Sequence, residues 1–279
     1  MPLDADKLLN LPPVITRQTL SRKDTILYAL GVGASELDFV FEERLKALPT
    51  MAVVLGYPGF FWRQPEYGVN WQKLLHGEQW LELHGPLPVE GEIIGETRIE
   101  AIVDKGADKG AIAWSSRRIT DGAGRHIATV RGASFLRGDG GFGGSPQGGP
   151  APNPAPPERA CDQSVTLPIA ANQAMIYRLS GDLNPLHIDP AVAAAGGFKA
   201  PILHGLCTYG VVGRAILAAC CDNDPARLKR MDVRFSAPVY PGETIVTEIW
   251  TLGAGRVSFR ASVKERALVV INNGLAVIA

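Results

Sequence analysis

Leu206-Cys-Thr-Tyr-Gly-Val-Val-Gly-Arg-Ala-Ile-Leu-Ala-Ala-Cys-Cys221 carries a single charged side chain and is apolar for about four helical turns. The run is too long for one strand and too hydrophobic for a surface helix, so it predicts a helix buried on most sides. Downstream, residues 230–236, 244–252, 256–264 and 267–276 read as strands separated by Gly or Pro turns. Asn272-Asn-Gly274 interrupts the last of them and predicts a bulge or a strand end. Upstream, residues 170–180 have helical spacing, and Gly181 is well placed as a left-handed stop. A long helix wrapped by an antiparallel sheet is the natural packing of this set, an α+β architecture.

The set occurs twice. Gly85-Pro-Leu-Pro-Val-Glu-Gly-Glu92 matches Ser236-Ala-Pro-Val-Tyr-Pro-Gly-Glu243, and strand-like runs follow both, at 93–103 and 244–252. Ile26-Leu-Tyr-Ala-Leu30 aligns with Met175-Ile-Tyr-Arg-Leu179. Both spacings are about 150 residues, too long for a solenoid repeat and right for a duplicated domain. Between the copies runs GDGGFGGSPQGGPAPNPAPPERA, from Gly138 to Ala160. Its glycines hold no fixed backbone cheaply and its prolines favour an extended path, so a disordered linker is expected. The division is then 1–137, a linker at 138–159, and 160–279.

Whole-chain properties exclude several functions. With 28 basic and 28 acidic side chains in 279 residues, there is no excess of positive charge to hold a polyanion, so nucleic acid is not the partner. No apolar stretch is long enough to cross a bilayer, and the first residues do not pattern as a secretory signal. The four cysteines form no C-x-x-C pair, which argues against zinc and against a disulfide framework. A soluble protein of a reducing cytoplasm is expected. No G-x-S-x-G elbow, phosphate loop, H-E-x-x-H or G-x-G-x-x-G after a strand is present.

One stretch carries candidate chemistry: Tyr177-Arg-Leu-Ser-Gly-Asp-Leu-Asn-Pro-Leu-His-Ile-Asp189. Gly181 ends a helix and Pro185 pushes Asn184 towards an extended conformation. Asp182, Asn184 and His187 therefore share a short irregular segment, where an acid, an amide and an imidazole can converge on a water. Taken alone, the same residues make an ordinary turn, and Asp189 before Pro190 suits a helix N-cap. Pro201-Ile-Leu-His-Gly-Leu206 changes the balance, because it sets the Gly205 N–H at the positive end of the buried helix, where a backbone donor stabilises negative charge on a carbonyl oxygen.

These strings, S-G-D-x-N-P-L-H-x-D followed by P-I-L-H-G and a long helix, resemble the MaoC-like hydratases, most of all the hydratase 2 group of (R)-specific 2-enoyl-CoA hydratases. The resemblance extends to Leu75-His-Gly-Glu-Gln-Trp-Leu-Glu-Leu83 in the first copy. It implies a double hotdog, two antiparallel sheets each wrapped around a helix and forming a pseudo-dimer within one chain. It also implies reversible syn hydration of a trans-2-enoyl-CoA to the (3R)-3-hydroxyacyl-CoA, with no metal and no organic cofactor. Asp182 and His187 would activate the water, Asn184 would orient it, and the Gly205 N–H would bind the thioester oxygen. His76 and Gly77 would lie beside the acyl-CoA, Lys105 would reach its phosphates and Phe235 would line the thioester path. Lys105 also reads as a hairpin-turn lysine, Phe235 as core, and His76 as a polar group near a helix end.

The first copy has no Asp-x-Asn-Pro-x-His, and Pro49-Thr-Met-Ala-Val-Val-Leu55 stands where the second has P-I-L-H-G. One active site per chain is expected, with the first copy reshaped to bind medium or long acyl chains, and a homodimer is expected from the family. The alternatives are a hotdog acyl-CoA thioesterase, a non-catalytic acyl-CoA-binding subunit, or the same chemistry on another thioester.

Overall fold

The computed structural model describes residues 2–279. Among them are the α-helices α1 (Ala5–Leu9), α2 (Arg22–Gly31), α3 (Leu37–Val40), α4 (Gln173–Tyr177), α5 (Pro190–Ala195) and α6 (Gly205–Cys220). The strands are β1 (Val14–Leu20), β2 (Leu74–Leu83), β3 (Gly91–Asp104), β4 (Ala111–Asp121), β5 (His126–Leu136), β6 (Gln163–Pro168), β7 (Leu228–Phe235), β8 (Thr244–Gly253), β9 (Arg256–Val263) and β10 (Leu268–Ile278). None of the described helices is long and apolar enough to cross a membrane.

The fold is a double hotdog whose two sheets run on as one. Ten strands pair in the order β1-β3-β4-β5-β2-β7-β10-β9-β8-β6, and the order reads the same from either edge once each strand is replaced by its counterpart in the other half. The halves meet where β2 pairs antiparallel with β7, from Glu78 opposite Arg234 to Glu82 opposite Arg230. The duplicated turn glycines take equivalent places: Gly91 (φ +122°) opens β3 and Gly242 (φ +92°) precedes β8, both in the left-handed region that favours glycine. The Asn-Asn-Gly interruption is a bulge. The β10–β9 register shifts between Ile271 and Gly274, with Asn273 at φ +51°.

The sixteen-residue α6 is the buried helix that its composition predicts, and ten of its residues are in the core. Two glycines three apart, on one face, allow the first half to press against it. A Cβ on Gly210 would collide with the Val32 side chain, and one on Gly213 would collide with Thr50. The second half also completes the end of α2. The Gln173 side-chain amide donates to the Leu30 and Gly31 carbonyls (2.9 and 2.6 Å), two of the acceptors that a helix C-terminus leaves open. Arg214 of α6 donates to the Val32 carbonyl and pairs with Glu36 at 3.0 Å. The aligned tyrosines, Tyr28 and Tyr177, face each other with ring centroids 6.0 Å apart.

The first half has no equivalent of α6. Its corresponding stretch is a short 3-10 turn, Pro49–Val53, every residue of which is buried. Arg117 of β4 reaches under it and donates to the Val53 carbonyl at 2.6 Å. Burial without a carboxylate partner lowers the Arg117 pKa to about 10.

The linker corrects an expectation. Instead of being disordered, it is fastened along its length. The Asp104 carboxylate accepts the N–H groups of Gly141 (2.7 Å), Gly106 (2.9 Å), Gly143 (3.0 Å) and Gly144 (3.2 Å), bonds that hold its pKa below the usual carboxylate value, with Gly141 the largest contributor. Further on, Asn273 donates to the Asn153 carbonyl (2.8 Å), and the Trp250 indole donates to the Arg159 carbonyl (2.8 Å). Glycines that make a chain floppy also leave their amides unshielded, so successive N–H groups can be gathered by one anion.

Two outcomes follow. Gly210→Val should lower the unfolding free energy by about 1–3 kcal/mol through overpacking against Val32, as read from a chemical denaturation midpoint. Asp104→Ala should make the chain sensitive to limited proteolysis within 138–149, where the unsubstituted protein should resist cleavage.

Candidate active site

The site is built where the loop after α4 meets the start of α6. A 3-10 turn, Arg178–Ser180, extends α4 and closes on Gly181 at φ +119°, a left-handed stop that turns the chain sharply. Asp182 follows, its carboxylate accepting the Asn184 N–H at 3.1 Å, which fixes the local turn. Asn184 in turn caps the short Pro185–His187 turn by accepting the Leu186 N–H at 3.1 Å. Asp189 caps α5 through the Ala191 and Val192 N–H groups, as its position before Pro190 predicts.

This turn delivers His187 into the protein with its ring 9 % exposed. Its Nδ1–H donates to the Ile202 carbonyl at 2.9 Å, which leaves Nε2 as the free proton acceptor. His204, 1 % exposed, stacks on His187 with centroids 3.7 Å apart and planes tilted by 28°. The Nε2–H of His204 donates to the Asp182 carbonyl at 3.1 Å. The next residue, Gly205, opens α6 and is exposed. Its N–H finds no acceptor among the described residues and sits at the positive end of a four-turn helix. The Phe235 ring, at the end of β7, lies 3.6 Å from where a Cβ on Gly205 would be.

Burial lowers the pKa of His187 below the ordinary imidazole value, against the opposing pull of the Ile202 bond and the Asp182 charge. Burial, reinforced by neighbouring His187, lowers His204 to about 4. Both rings are therefore neutral near pH 7. One ligand atom from each of Asp182, His187 and His204 lies within 4.8 Å of the others, a spacing compatible with a metal ion. The ring orientations favour proton chemistry instead. The rings are stacked, and one nitrogen of each is already taken by a backbone carbonyl, Nδ1 of His187 by Ile202 and Nε2 of His204 by Asp182.

The first half contributes a wall. His76 lies within β2 beside a register shift between His76 and Glu78, so it belongs to a strand and not to a helix end. Its Nε2–H donates to the Glu78 carbonyl at 3.0 Å, and its ring faces Phe235 at 5.0 Å. Dense packing around the ring, the largest influence, lowers its pKa, while the charge on Asp182 opposes this. His76 as a whole is nonetheless exposed. At Gly77 a side chain would strike the Phe135 ring at 2.8 Å, so the bulge needs a glycine.

Asp182, His187, Gly205, Phe235 and His76 thus come together. Asn184 adjoins them but is exposed, with its side-chain carbonyl engaged by the loop. Lys105 is further off. It sits in the β3–β4 turn with Nζ on the Pro146 carbonyl at 3.2 Å, and it is separated from β2 by β4 and β5, about 14 Å at normal strand spacing. Two neighbours were not singled out from sequence. His204 stands inside the P-I-L-H-G string, next to the glycine whose N–H heads the helix. Tyr57, in the first half, has no motif to mark it; burial and the nearby Asp182 charge raise its phenol to about 12.

Comparison with known proteins identifies the family. Residues 152–273 match the MaoC like domain, and residues 19–138 match the MFE-2 hydratase 2 N-terminal domain. The chain is 40% identical to the probable enoyl-CoA hydratase 2 of Dictyostelium discoideum, covering 100% of this chain and 97% of that one. It is 42% identical to 3-hydroxyacyl-thioester dehydratase Y of Mycobacterium tuberculosis, covering 90% of each. The crystal structure of a MaoC-like dehydratase from Phytophthora capsici superposes with a TM-score of 0.90 at 38% identity, over 99% of this chain and 98% of that one. With both halves matched and relatives of about 40% identity aligned over nearly the whole chain, the chain belongs to the MaoC-like family of hydratases and dehydratases.

Proposed function

We propose that the protein catalyses reversible syn hydration of a trans-2-enoyl-CoA to the (3R)-3-hydroxyacyl-CoA. The observation that carries this reading is the juxtaposition of the Asp182 carboxylate and the free Nε2 of neutral His187 with an unengaged N–H at the start of α6. The thioester oxygen accepts the Gly205 N–H, and the helix end stabilises the negative charge that develops there. That polarisation makes the β-carbon electrophilic. A water held between Asp182 and His187 loses a proton to the pair as its oxygen bonds to the β-carbon, and a proton is returned to the α-carbon on the same face. Asn184 steadies the water through its amide. Phe235 and His76 flank the thioester, Gly77 keeps the bulge beside it open, and Lys105 takes a CoA phosphate as a point charge at the rim.

The first half, with its motif residues gone and a 3-10 turn in place of a helix, is the part we assign to medium or long acyl chains. Two chains pair as a homodimer in this reading.

The deciding assay follows loss of enoyl absorbance on trans-2-decenoyl-CoA, with chiral analysis of the product. Formation of the 3R alcohol without release of CoA supports the reading, whereas release of free CoA supports a thioesterase. Asp182→Asn and His187→Ala should each stay folded and lose about 10²–10⁴-fold in kcat. Crotonyl-CoA should be a poorer substrate than decenoyl-CoA, and equal kcat/KM for the two would sink the chain-length assignment.

The pH dependence has a definite sign. Because burial lowers the pKa of His187, its neutral, proton-accepting form persists as pH falls through 6.5, the ordinary imidazole value. The acid limb of the kcat/KM profile should therefore lie below 6.5, and a limb centred above it would contradict the assignment of His187.

A further inference from the structure

We propose that His204 is a positioning residue that holds both members of the Asp182–His187 pair at once, an inference that rests on the hydratase reading. Its ring face lies on His187 at 3.7 Å, and its Nε2–H holds the Asp182 carbonyl at 3.1 Å. Its other neighbours leave it no freedom to turn. The Tyr177 ring stands 5.0 Å away at 53°, its own carbonyl accepts the Cys207 and Thr208 N–H groups at the start of α6, and the side chain is 1 % exposed.

The demand on this position is unusual. It needs a flat ring to set the plane of His187 and an edge donor to set the backbone of Asp182. Phenylalanine has the first without the second, and an amide has the second without the first. Imidazole has both, provided that it stays neutral, since a cation here would press on His187 and on nearby Arg178. The groups facing it are Asp182 and His187 from the loop, and Tyr177 and Arg178 from the end of α4. Because His204 also directly precedes Gly205, the same residue ties the water-activating loop to the backbone donor at the head of α6. Its Nδ1 is buried without a protein partner, so nothing on that edge competes with the bond made by Nε2.

The test uses the full-length protein with His204→Phe, which keeps the stack and loses the donor, and His204→Gln, which keeps a donor and loses the ring. For each, kcat and KM on trans-2-decenoyl-CoA are measured with the melting temperature. NMR follows the His187 Nδ1 proton, which the Ile202 carbonyl should shelter and shift to low field. Displacing a reacting group by about 1 Å can cost 10²-fold in rate. We expect kcat to fall about 10–100-fold in both variants, with KM within about threefold and the melting temperature unchanged. The His187 Nδ1 proton should exchange faster in both. In an Asp182→Asn background, His204→Phe should add little further loss, because its effect passes through the pair.

Wild-type kcat in both single variants with an undisturbed His187 proton overturns the proposal. So does a raised KM at constant kcat, which would make His204 a substrate contact. If the unsubstituted protein turns over no enoyl thioester, the hydratase reading falls, and the NMR arm alone decides whether His204 orders its two neighbours.

Discussion

The structure turns on one helix filling the interior of a sheet ten strands wide. At 1.5 Å per residue, α6 is about 24 Å long, and it must cover the second half's sheet while also accepting the first half's core. Gly210 and Gly213 make this possible. They remove side chains where Val32 and Thr50 approach, so the first half closes without a long helix of its own. The asymmetry of the site has the same origin. Among the described residues the one helix of more than ten residues starts at Gly205, which sets a strong backbone donor beside an acid and an imidazole.

Much of this architecture is legible in the sequence, for reasons that can be located. The unbroken apolar run from Leu206 has no other stable form than a buried helix. Gly181, Gly91 and Gly242 mark left-handed turns that other residues adopt only at a cost, and Asn272-Asn-Gly274 places its bulge in the same way. The edge strands β1 and β6 are harder to see, because they are short and carry few strongly patterned residues. The joining of two sheets at β2 and β7 is illegible for a deeper reason. The register of Glu78 on Arg234 belongs to two segments about 150 residues apart, and neither carries a mark of the other. The linker misleads because its composition argues for disorder, while the group that fastens it is Asp104, outside the linker itself.

For the site, the residues on one continuous loop were the readable ones. Pro185 and Gly181 constrain their neighbours locally, so Asp182 and His187 can be brought together on paper. The first-half residues depend on the seam. His76 reaches Phe235 only because β2 pairs with β7, and Tyr57 lies in the other half of the chain, 125 residues from Asp182. His204 was visible as a letter but not as a contact, since a stack on His187 requires the chain to return across seventeen residues.

The strand order has a consequence for assembly. Joining two sheets into one buries what would have been two pairing-competent margins, and among the described strands only β1 and β6 remain unpaired on their outer sides. Both are guarded by proline. Pro12 and Pro13 immediately precede β1, and Pro168 is the last residue of β6. A residue without an N–H cannot continue a ladder. Any lateral pairing would therefore be confined to the short runs Val14–Leu20 and 163–167 beside those prolines.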